Sequence, residues 1–91
     1  MLDPIANSEP ITPCIFRIYP DGQIIALFPR EPWNRIGDVT SYMHLGQHGA
    51  ADYTGVIRST KPATPEHYAP LQRELESIGY KLQILKRRPR A

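Results

Sequence analysis

Ninety-one residues, 41% of them hydrophobic and 22% charged, suit one small domain rather than several. No apolar run approaches the roughly 20 residues of a membrane-spanning helix. The start Met1-Leu2-Asp3-Pro4 lacks the basic and apolar stretches of a secretion signal, and the single Cys14 rules out an internal disulfide, so a cytoplasmic protein is expected. The net charge of +2 is uneven: Lys86, Arg87, Arg88 and Arg90 carry +4, while residues 1–85 hold seven Lys/Arg against nine Asp/Glu. The body is therefore slightly acidic, which argues against general coating of nucleic acid.

Residues 1–13, with Pro4, Pro10 and Pro13 and no periodicity, read as a flexible N-terminal arm. Cys14–Tyr19 and Ile24–Phe28 are β-branched and aromatic runs joined by Pro20-Asp21-Gly22-Gln23, the composition of a tight turn, and predict a β-hairpin. Pro29–Asp38 is a connecting loop, since both of its prolines oppose strand and helix. Val39–His44 predicts a third strand, residues 46–49 a turn, and Tyr53–Ser59 a fourth strand antiparallel to the third.

Thr64-Pro65-Glu66 is a helix start, with an N-cap, a proline at the first helical position and a carboxylate on the positive end. Tyr68, Leu71, Leu75 and Ile78 then form one apolar stripe, and Gly79 is a natural stop. Pro70 predicts a kink or a separate first turn, because it removes a ladder hydrogen bond. Tyr80–Arg87 predicts a last strand. The expected fold is thus α+β, order β-β-β-β-α-β, a mainly antiparallel sheet in a domain over residues 14–87, followed by a basic tail at 88–91. One helix covers one face and leaves the other for solvent or a partner.

Ser41–Tyr53 concentrates two His, two Tyr, two Gly, a Gln and an Asp in thirteen residues. Such groups are costly to bury unpaired, and glycine lets the backbone present them sharply, so the block predicts a built surface. His44 and His48, with Cys14 or Asp52, are metal-ligating types. Gly46 and Gly49 argue against the helix that would align the two imidazoles, however, so no metal and no cofactor is expected. Cys14 beside a His is the pairing of a nucleophile and base, but it starts a strand with no oxyanion site nearby, and a core role fits better. Asp52 with a His lacks room for a deep substrate pocket, so no catalytic residue is expected.

The nine-residue stretch Ser41-Tyr42-Met43-His44-Leu45-Gly46-Gln47-His48-Gly49 stands out, as do Lys61-Pro62-Ala63-Thr64-Pro65-Glu66 and Glu74-Leu75-Glu76-Ser77-Ile78-Gly79-Tyr80. Together with Ile15-Phe16-Arg17 and Ile24–Pro29, they resemble a group of short bacterial proteins carried by phages, plasmids and conjugative elements. The resemblance covers residues 14–88 and departs at Pro70, where a helix-friendly polar residue is expected. It implies a mobile-element setting and no particular activity.

The combined expectation is a non-enzymatic binding protein that docks on a larger protein or ribonucleoprotein complex through Trp33, Tyr42, His44, Gln47, His48 and Tyr53. In such a setting it would modulate or inhibit a defence system, as an anti-CRISPR protein does. The rival reading is a nucleic-acid-binding accessory protein. It uses Arg58, Lys86, Arg87, Arg88 and Arg90 with an exposed sheet face on which Trp33, Tyr42, Tyr53 and Arg35 stack and pair. A sheet edge or uncovered face would also allow a homodimer.

Overall fold

The computed structural model describes residues 11–43 and 47–86. The elements run β1 (Ile11–Ile18), β2 (Ile24–Pro32), β3 (Val39–Met43), β4 (Gln47–Ala51), α1 (Tyr53–Ser59), β5 (Lys61–Pro62), α2 (Pro65–Ser77) and β6 (Lys81–Ile84). Among the described residues the strands form one mainly antiparallel sheet, ordered β4-β3-β2-β1-β5, with β6 also paired to β1. The α+β class is as the sequence implies.

The β1–β2 hairpin follows its turn chemistry. Tyr19 N–H donates to Gln23 O at 2.8 Å and Gly22 N–H to Tyr19 O at 2.9 Å, with Gly22 at φ +92°, a conformation that favours glycine. β1 begins at Ile11, inside the expected arm, because β6 pairs with Ile11–Cys14 in parallel. The carbonyls of Cys14 and Phe16, two residues apart and so on one edge of β1, accept from Leu85 N–H at 2.8 Å and Ala63 N–H at 3.1 Å. Hence β6 and β5 share that edge. Pro13 addresses the opposite edge, where pairing with β2 starts only at Ile15, so its missing N–H leaves no gap in a ladder.

Three expectations are corrected, the first being the loop at Pro29–Asp38: β2 runs on through Pro32, with its register against β3 shifted between Phe28 and Pro32. Tyr53–Ser59 is a helix, and the fourth strand lies earlier, at Gln47–Ala51, where the sequence suggested a turn. Thr, Val and Ile in this stretch favour a strand locally. Tyr53, Val56 and Ile57, however, sit three and four apart, so a helix puts all three on one face, and tertiary packing outweighs propensity. In consequence the second face of the sheet is covered. On one face α2 contributes Leu71 and Leu75 to a core with Cys14, Phe16, Ala26, Phe28 and Tyr42. On the other, Ile57 of α1 joins Ile15, Ile25, Leu27, Val39 and Ala51.

α1 has seven residues, too few to be stable alone. Arg17, 8% exposed, closes its C-terminal end. Its Nη2 donates to Ile57 O at 3.0 Å and Thr60 O at 2.7 Å, and its Nε to Thr60 Oγ1 at 2.9 Å. A cation here meets the negative end of the helix dipole.

α2 runs unbroken from Pro65 to Ser77 despite Pro70, which is solvent-exposed. His67 caps its start, its Nδ1 accepting from Thr64 N–H at 3.3 Å. Its end is a Schellman motif: Tyr80 N–H donates to Leu75 O at 3.2 Å and Gly79 N–H to Glu76 O at 3.1 Å, with Gly79 at φ +111°.

Candidate functional site

β3 and β4 form an antiparallel hairpin in which Tyr42 lies opposite His48. Alternation along β3 turns Tyr42 towards α2, where it is 1% exposed. Its hydroxyl donates to Glu74 Oε2 on α2. The His48 ring stands edge-on to Tyr42, centroids 4.6 Å apart at 67°, and remains exposed. Its Nε2 lies 2.9 Å from Tyr80 Oη. The Schellman motif that ends α2 delivers Tyr80, whose ring stacks on Phe28 at 5.2 Å. Tyr42, His48 and Tyr80 thus tie the hairpin to α2 and to the segment behind it. Burial foremost, then the charge of Glu31 and then Cys14, pushes the Tyr80 phenol above its ordinary value, so the ring is held neutral.

Of the six residues expected to dock together, the four whose side chains are described, Trp33, Tyr42, His48 and Tyr53, do not form one surface. Tyr42 is a core residue under α2, and Tyr53 packs with the α1 cluster on the opposite side of the sheet. His44 lies outside the described residues, and Gln47 is placed only by its backbone in β4. Arg58 is exposed on the last turn of α1 and Lys86 is exposed beyond β6, while Arg87, Arg88 and Arg90 lie outside the described residues. The open sheet face of the nucleic-acid reading is occupied by α1.

Trp33 is exposed, in a loop whose backbone is tied down. Trp33 N–H donates to Asp38 O at 2.8 Å. Asn34 Oδ1 accepts from Ile36 N–H at 3.1 Å and Asp38 N–H at 3.2 Å, and Asn34 Nδ2 donates to Asp38 Oδ2 at 2.9 Å. Gly37 takes φ +100°. The result is a braced tip that holds Trp33 49% and Ile36 85% exposed, with Arg35 exposed between them. Sequence reasoning passed over Ile36. The signal was Asn34 followed by Gly37-Asp38, an Asn side chain positioned to bond backbone two and four residues on.

Cys14 is fully buried, and burial foremost, with Glu31 second, pushes its thiol well above 9.0, which disfavours the nucleophilic thiolate. Among the described residues no three His, Cys, Asp or Glu side chains group to hold a metal ion. No helix among them is long and apolar enough to cross a membrane. Comparison of the chain with protein-family models, with curated proteins and with solved structures gives no match.

Proposed function

We propose that the protein is a non-enzymatic docking module that binds a larger protein or ribonucleoprotein complex through the braced 33–38 loop and modulates or inhibits it. The observation that carries this reading is the exposure of Trp33 and Ile36 on a backbone held by its own hydrogen bonds. A large apolar side chain facing water is a common interface anchor, and Trp and Arg are enriched among the residues that dominate binding. A loop ordered before contact loses little further entropy on docking. In the mobile-element setting that the resemblance implies, the proposed target is, by analogy, a host defence complex such as a CRISPR effector, which makes the chain an anti-defence protein in this reading.

The test is capture from lysate of the native host with tagged protein, at low and moderate salt and with and without nuclease, followed by affinity measurement on the captured complex. Trp33→Ala is expected to weaken binding by about 2 kcal/mol or more, roughly thirtyfold. Asn34→Ala, which loosens the brace but keeps the anchors, should weaken it by less. A complex held unchanged by a Trp33→Ala/Ile36→Asp protein would overturn the reading.

A further inference from the structure

Away from the 33–38 loop, the end of α1 and the β1–β2 turn enclose an open cavity of about 550 Å³. Tyr19 and Pro20 line one side, and Arg58, Ser59, Thr60 and Lys61 line the other. We propose that this cavity binds a nucleotide unit of single-stranded nucleic acid, with a base against the Tyr19 ring and a phosphate between Arg58 and Lys61. This goes beyond the docking function and uses none of its residues.

The electrostatics of the cavity favour an anion. The Arg58 and Lys61 side chains are both exposed, and among the described residues neither is hydrogen-bonded or ion-paired. The C-terminal end of a helix ordinarily repels a phosphate, through carbonyls that lack partners. Here part of that end is satisfied. Gly55 O accepts from Ser59 Oγ at 2.9 Å and Val56 O from Thr60 Oγ1 at 2.6 Å, while Arg17 takes Ile57 O and Thr60 O. Asp21, the carboxylate of the adjoining turn, accepts from Gln23 N–H at 3.0 Å. Tyr19 is held at the start of that turn by backbone hydrogen bonds through both its N–H and its C=O, and its partly buried side chain packs against the cluster of Ile15, Ile25 and Leu27.

The chain carries further positive charge after its last strand. β6 and β5 lie along one edge of β1, with Ile84 beside Cys14 and Lys61 beside Ile18. Lys86 is exposed beyond β6, and Arg87, Arg88 and Arg90 follow it in the sequence. A cationic groove with an aromatic platform is the recurring arrangement for single strands.

Anisotropy of fluorescein-labelled oligothymidylate and oligouridylate, titrated with the full chain over a salt series, tests the proposal. The wild type is expected to bind at low salt. Arg58→Gln/Lys61→Gln should weaken binding about tenfold and reduce the salt slope by roughly 1.4, for two lost single-strand phosphate contacts. Tyr19→Leu should weaken it about tenfold with the slope unchanged, and Tyr19→Phe, which keeps a stacking ring, should retain it. Competition by ATP that the double variant loses would show that the cavity accepts a free nucleotide through the same chemistry. A Trp33→Ala/Ile36→Asp protein should bind as the wild type, which separates this site from the docking loop. Absence of wild-type binding would overturn the proposal, as would binding that only deletion of residues 86–91 removes. Circular dichroism melting confirms that each variant is folded.

Discussion

The two faces of the sheet are closed by different means. The α2 face is closed by a thirteen-residue helix with its own cap, stripe and stop, and by rings that stack and bond: Phe28 on Tyr80, His48 on Tyr42. The α1 face is closed by a seven-residue helix, which relies on aliphatic packing and on one guanidinium reaching across from β1. A helix long enough to encode itself needs the sheet only for burial. One too short to do so needs the sheet to complete its hydrogen bonding. The difference predicts unequal local stability on the two sides, with α1 opening more readily than α2.

The comparison can be broken from either side. Leu75→Ala, which empties a fully buried site under α2, should cost about 3 kcal/mol in denaturant unfolding and lower protection across the whole sheet. Arg17→Met keeps the apolar stem but strands the α1 carbonyls, at a cost of about 2 kcal/mol. Amide exchange should then accelerate in residues 53–60 while α2 keeps its protection, and uniform acceleration across both helices would contradict the contrast. Tyr42→Phe removes the bond to Glu74 and should cost about 1 kcal/mol, with little effect on exchange in α1.

The smallest effect is one of pH. The folded protein retains the Cys14 proton longer than the unfolded chain does, because burial raises the thiol above 9.0. The contribution is fully present below that value and is lost as pH rises above it, by about a few tenths of a kcal/mol at pH 9 and more beyond. Cys14→Ala should flatten this part of the stability profile relative to the wild type.

Much of the α2 side was legible in the sequence because its signals are local. Pro20-Asp21-Gly22 marks the hairpin, Thr64-Pro65 the helix start and Gly79 its stop, and each acts within a few residues. The α1 side was not legible. Thr54, Val56 and Ile57 favour a strand in isolation, and the guanidinium that makes them helical comes from Arg17, far away in the chain. Ile11–Pro13 looks like a loose arm until β6 is available to pair with it. The polar-aromatic block was recognised as unusual, but its meaning depended on Tyr80 and Glu74, which no spacing connects to Tyr42 and His48. Tyr42 is instead a core residue, and the exposed His48 is fastened to Tyr80. The exposed anchors lie in a loop whose rigidity comes from the amide of Asn34.

The parallel pairing of β6 with the first half of β1 has a consequence for synthesis. As the chain leaves the ribosome, the β1–β2 hairpin is complete early, yet the β1 edge at Ile11–Cys14 waits for residues 81–84, the last strand described, to emerge. Until then a nascent chain presents an open strand edge that invites aggregation or chaperone capture. The same geometry means that a chain truncated before Tyr80 has a vacancy of defined register, and a separate peptide carrying residues 80–86 has the sequence to complete it in trans.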